Sequence, residues 1–211
     1  MNRFVVYLIM LAGACLAPPD PAHAQTASQR VFLLIAKPGM LDPNFRKTVV
    51  LAVRPDEGGP IGVILNRPST VELRALYPDR AELANRTDLV FLGGPIEPDA
   101  LLFAFRSAVK PAKGLFVADD IYISGFSEVL NEILRHPEHA GQQRFFTGFS
   151  GWAGGQLEDE IQRGGWYVLP FDGRYVFDAH PLSMYEDLLK RAVVPRLEVK
   201  RGYPLADLRA R

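Results

Sequence analysis

What is scarce in this chain narrows its chemistry first. It holds one cysteine, Cys15, among 211 residues, so no internal disulfide forms and no thiolate cluster binds a metal. Histidine is nearly as rare, with four copies. His136 and His139 stand three apart, but Pro137 breaks the helix that would aim both at one ion, and His180 is wedged before Pro181. No HExxH segment or mixed Cys/His spacing accompanies them, so no metal site is expected. A phosphate-cradling P-loop and a GxGxxG dinucleotide fingerprint are both missing, and no cofactor is expected. Ser150 sits in Gly148-Phe149-Ser150-Gly151-Trp152, where Trp152 takes the place of the last glycine of a nucleophile elbow. Charge of one sign is not in excess either. The 24 Lys plus Arg match the 24 Asp plus Glu, leaving no electrostatic footprint for nucleic acid. The C-terminal Arg191, Arg196, Lys200, Arg201, Arg209 and Arg211 form no dense basic block and read as a solvated face or loose tail.

A transmembrane-length apolar run is lacking too. Phe4 to Leu16 is apolar and uncharged, shorter than the roughly 20 residues a spanning helix needs, but suited to the h-region of a signal peptide. Arg3 supplies a positive start, and Pro18, Pro19 and Pro21 break the run before Ala22-His23-Ala24. Small residues at −3 and −1 place the expected cut after Ala24. A competing reading lipidates Cys15, but Ala12-Gly13-Ala14 lacks the leucine usual three positions before such a cysteine. Residues 1–24 are therefore expected to be a signal, and 25–211 one periplasmic or secreted domain with no transmembrane segment. Loss of Cys15 would leave that domain without a thiol. Arg3 and Asp20 leave together, so its formal charge stays at zero.

Along the domain, whose core is expected over about 30–195, Val31 to Ala36 reads as a buried strand, ended by Pro38-Gly39. Asp42-Pro43 sets an N-cap acceptor before a proline at N1. Thr48 to Val53 and Ile61 to Leu65 are strands, and the turn Asp56 to Pro60 between them, too short for a parallel crossover, predicts an antiparallel hairpin. Val71 to Asn85 reads as broken helix and loop. Further strands are predicted at 88–92, 101–105, 115–118, 120–123, 143–149 and 166–169. A helix over Phe126 to Arg135 carries Phe126, Val129, Leu130, Ile133 and Leu134 on one stripe. A second spans Gln156 to Arg163 and closes at Gly164, with Glu158 placed for a capping box. A third opens at Pro181 with Leu182, Tyr185, Leu188 and Leu189 on one face. Strands on short turns with few helices between them argue for an α+β fold.

Four segments stand out: Phe32 to Val53 (FLLIAKPGMLDPNFRKTVVLAV), Gly62 to Pro68 (GVILNRP), Gly93-Gly94-Pro95, and Gly148 to Trp166 (GFSGWAGGQLEDEIQRGGW). Their order and spacing resemble the AlgH-like (YqgE) family of small bacterial proteins over about residues 30–180. That resemblance implies an α+β fold with a bent, mixed, largely antiparallel sheet curling toward a pseudo-barrel, a few flanking helices, and a cytoplasmic setting. It implies no established reaction. The family's name associates it with transcriptional regulation of alginate production. An export signal departs from that pattern, because an exported protein cannot reach chromosomal DNA. The Leu-His pair expected soon after GGP is also replaced by Ala100-Leu101-Leu102-Phe103.

The candidate ligand- or partner-binding residues are Asn66, Arg67, Gly93, Gly94, Trp152, Gln156 and Glu160. Each has a plain structural reading beside the functional one. Asn66-Arg67-Pro68 suits a turn, and Arg67 suits a carboxylate or phosphate clamp. Gly93 and Gly94 suit tight backbone. Gln156, Glu160 and Arg163 make one polar helix stripe, with Trp152 as an aromatic anchor. The expected function is a non-enzymatic binding or regulatory domain whose NRP, GGP and GWxxGQLE loops converge on an unknown protein or small-molecule ligand. The alternative is a hydrolase using Glu160 or Glu158 as general base in that groove.

Overall fold

The computed structural model describes residues 30–201, with side chains as far as residue 193. The expected signal, its cut after Ala24, Cys15, Arg209 and Arg211 lie outside the described residues, as do the side chains of Arg196, Lys200 and Arg201.

Three apolar runs begin the sheet. β1 (Val31–Ala36), β2 (Val49–Val53) and β3 (Ile61–Ile64) pair antiparallel in sequence order. The predicted hairpin joins β2 and β3, with Val53 opposite Ile61 and Ala52 opposite Gly62. Every residue of β2 is buried. Since successive side chains point to opposite faces, both faces of this strand are covered, which is why its sequence does not alternate. The chain continues through β4 (Pro68–Glu72), the one-turn α1 (Leu73–Leu76), β5 (Leu89–Leu92), β6 (Ile96–Arg106), β7 (Leu115–Ala118) and β8 (Ile121–Ser124). After these come α2 (Ser127–Leu134), β9 (Gln143–Gly151), α3 (Gln156–Gln162), β10 (Trp166–Pro170) and α4 (Pro181–Arg201). The strand order β10-β1-β2-β3-β9-β6-β8-β7 makes a curled, largely antiparallel half-barrel, with β5 added to β9 in parallel and β4 paired to β5.

β9 joins the two wings of this sheet. One edge pairs with β6, from Ile96 opposite Phe149 to Phe105 opposite Gln143. The other edge pairs first with β5, then with β3 through Gly62 opposite Ser150. Gly93 makes the handover: its N–H donates to Thr147 O at 2.8 Å, and its carbonyl accepts from Ile64 N at 2.9 Å. Main chain crosses main chain here at a separation no side chain fits. A Cβ on Gly93 would lie 2.3 Å from Gly148 O, and one on Gly94 would lie 2.2 Å from Phe149 C. Gly148 itself sits at φ +66°, a region L-residues avoid.

Several details differ from the sequence expectation. Pro68–Glu72 is a strand, where only turn and broken helix were expected. A proline can open a strand because its missing N–H is not needed there. Phe126 is the extended N-cap of α2 and about half exposed, whereas Val129, Leu130, Ile133 and Leu134 face the core. In α4 the buried residues include Met184, Tyr185, Leu188 and Ala192, while Leu182 is 78% exposed. Tyr185 fixes that phase by donating its hydroxyl to Ala36 O at 2.9 Å.

Replacing Gly94 by Ala forces the crossing apart. We expect Gly94→Ala to lower unfolding free energy by about 3 kcal/mol, while Gly154→Ala, whose Cβ meets nothing within 4 Å, changes it little. Urea denaturation followed by far-UV circular dichroism checks the pair; equal midpoints would remove the close crossing as a constraint.

Candidate functional site

The site grows from the turn at 42–47. Asp42 Oδ1 accepts from Asn44 N at 2.8 Å, and Asp42 O accepts from Phe45 N and Arg46 N, the single helical turn expected of Asp-Pro. Two side chains from the end of β3 hold it. Asn66 Oδ1 accepts from Val49 N at 2.8 Å and Asn66 Nδ2 donates to Lys47 O at 2.9 Å, replacing ladder bonds where the strand stops. Arg67 Nη1 donates to Asn44 O at 2.7 Å and Nη2 to Arg46 O at 3.4 Å. Burial pushes the Arg67 pKa below its ordinary value, opposed by the charge of Asp42. Its guanidinium borders a cavity of about 150 Å³, also lined by Asn44, Leu92, Gly94, Pro95 and Thr147.

The other face of the turn carries Phe45, which packs between two indoles. Its ring stacks on Trp152 with centroids 6.3 Å apart and meets Trp166 edge-on at 5.4 Å. The indoles lie 6.4 Å apart and share one acceptor. Glu160 Oε2 receives Trp152 Nε1 at 3.1 Å and Trp166 Nε1 at 2.9 Å, while Glu160 Oε1 receives Gln156 Nε2 at 3.0 Å. Gln156 Oε1 in turn accepts from Ala153 N at 3.0 Å, closing the entry of α3. Indole N–H groups this buried need an acceptor, and the GWxxGQLE segment with its following tryptophan supplies it. The helix exit is a Schellman motif: Gly164 N donates to Ile161 O, Gly165 N to Glu160 O, and Gly164 takes φ +86°. Glu158, expected to reach back as a capping box, bonds Arg54 at 2.7 Å, which holds its carboxyl below the usual range. That pair ties α3 to the end of β2.

NRP and GGP thus meet at one small cavity through Arg67 and Gly94. Trp152, Gln156 and Glu160 do not line it; they reach the same turn through Phe45. Sequence reasoning missed Phe45, although it lies inside a singled-out segment. It also missed Arg144, a buried cation on β9. Arg144 donates to Leu65 O and Asp178 O and lies 4.4 Å from the Phe91 ring centre, and burial lowers its pKa to about 10. It fixes the end of β3 just before Asn66. Among the described residues, no three His, Cys, Asp or Glu side chains group as metal ligands, and no helix is long and apolar enough to cross a membrane.

The chain and its fold have known counterparts. The AlgH-like family profile matches residues 33–196. A UPF0301 protein of Streptomyces coelicolor is 36% identical over 168 residues, covering 75% of this chain and 84% of its own. One of Chromobacterium violaceum is 37% identical over 152 residues, covering 69% and 80%. The solution structure of the AlgH protein from Pseudomonas aeruginosa superposes with a TM-score of 0.60 at 29% identity, covering 82% of this chain and 93% of that one. A crystal structure from Corynebacterium diphtheriae gives 0.63 at 21% identity over 80% and 92%, a likeness of fold alone.

Glu160 tests the reading of its motif as an internal clamp. We expect Glu160→Gln to cost about 2 kcal/mol, since one acceptor oxygen becomes a donor facing N–H groups. Equal urea midpoints for wild type and variant would show that the carboxylate bonds contribute nothing to folding.

Proposed function

We propose that this chain, which belongs to the AlgH-like family, is a non-enzymatic binding domain that receives a small acidic group of a partner or ligand beside Arg67. The observation that carries this reading is a partly desolvated guanidinium bordering an open cavity of about 150 Å³. Its bonds to Asn44 O and Arg46 O occupy two of the five N–H donors of an arginine. Main-chain carbonyls orient the group without neutralising it. An incoming carboxylate would gain a charge-assisted bond in a setting of reduced screening. At roughly 30 Å³ per water molecule, the space suits one side-chain head and is too small for a nucleotide.

A general-base role for Glu160 finds less support. Three N–H donors already reach its two oxygens, filling most of a carboxylate's acceptor capacity and leaving little of it for a reacting water. Glu158 is committed to Arg54. Binding is therefore favoured over hydrolysis.

The domain acts outside the cytoplasm, in the periplasm or beyond. Support comes from the apolar run Phe4 to Leu16 followed by Ala22-His23-Ala24. The family match begins at residue 33, after the expected cut. Direct control of genes forms no part of this reading.

Two measurements test these claims. Titration with sodium acetate, against sodium chloride at equal ionic strength, is expected to shift the amide resonances of Gly94 and Thr147. Arg67→Ala should abolish the shift, and an identical response in that variant would reject the site. Cell fractionation with N-terminal sequencing is expected to recover a chain beginning at Gln25 outside the inner membrane. Intact protein in the cytosol would overturn export.

A further inference from the structure

A second cavity, of about 870 Å³, shares no residue with the one at Arg67. Its apolar wall includes Phe105 at the end of β6, Val129 and Ile133 on α2, and Val109, Pro111 and Ala112 on the loop that follows β6. Its size falls within the range of about 300–1,000 Å³ typical of small-molecule sites, which are mainly apolar with a few polar groups.

The overhanging loop is fastened at both ends. Ser107 N donates to Asp120 O at 2.8 Å. At the other end Ser124 Oγ donates to Lys113 O at 3.0 Å, and Lys113 Nζ meets Glu128 Oε1 at 3.0 Å. The cavity is therefore framed by defined contacts.

Its charges are paired with one exception. Arg106 bonds Asp120 and Lys113 bonds Glu128. Glu132 is engaged by Arg135 and lies 3.7 Å from His136. Lys110 lines the same cavity, is exposed, and has no carboxylate within 4.0 Å among the described residues. An apolar trough beside one uncompensated cation is complementary to an apolar molecule carrying one negative head.

The geometry points to a site for a free amphipathic acid, an acyl-type chain lying against Phe105, Val129 and Ile133 with its carboxylate at Lys110. This assignment goes beyond the binding proposed at Arg67 and uses none of its residues.

Calorimetric titration of the protein with dodecanoate, below the concentration at which it forms micelles, tests the assignment. Saturable binding of one molecule per chain is expected, with clearly weaker binding of dodecyltrimethylammonium. Lys110→Glu should weaken dodecanoate about fivefold, as befits an exposed charge contact. Ala112→Trp, a change on an exposed loop residue that leaves the core intact, should fill the trough and abolish binding. Arg67→Ala should leave it unchanged. Absence of saturation, equal binding of the cationic amphiphile, or full binding by Ala112→Trp would each overturn the proposal. So would loss in Arg67→Ala, which would place the acid at the other cavity. Co-sedimentation with phosphatidylglycerol vesicles that disappears in Ala112→Trp would replace the free acid by a lipid chain.

Discussion

The close crossing of Gly93 and Gly94 over Gly148 to Ser150 is the constraint on which the rest of the fold turns. A sheet strand has two edges, yet β9 serves three partners by giving one edge first to β5 and then to β3. That handover works only where main chain lies on main chain, with no Cβ between. The direction of the β3 wing follows from it. So does the placement of Asn66 and Arg67 at the end of β3, and of the 42–47 turn they hold.

Much of the first wing was legible in the sequence because its signals are local. Apolar runs broken by Pro38-Gly39 and Asp56 to Pro60 fix β1, β2 and β3 almost to the residue. Gly164 announced the Schellman exit of α3 for the same reason. Pairings between distant residues gave no such signal. Nothing in Leu89–Leu92 indicates a parallel partner more than fifty residues later, and the polar start of β6 at Ile96–Ala100 hides a strand that runs to Arg106. The face expected for α4 holds at Tyr185 and Leu188, with Leu189 packed against the core, but it includes the exposed Leu182 and omits the buried Met184.

The candidate residues stand out in the sequence by their motifs, while what each side chain bonds does not. Glu160 reads in sequence as one carboxylate on a polar helix stripe. Its use becomes visible only when Trp152, eight residues before it, and Trp166, six after it, converge on one oxygen. Asn66 likewise serves backbone groups of a turn nearly twenty residues away. Motif strength in this chain thus marks internal bonding. Arg67 differs because the acceptors it bonds are main-chain carbonyls, with Asp42 acting on it only through its charge.

The shared carboxylate has an optical consequence. Trp152 and Trp166 are the chain's two tryptophans, and their rings lie 6.4 Å apart. At this separation excitation of one indole can pass to the other, and all tryptophan emission arises from this single spot. The protein therefore carries its own fluorophore pair beside the turn that frames Arg67, with Phe45 of that turn packed against both indoles.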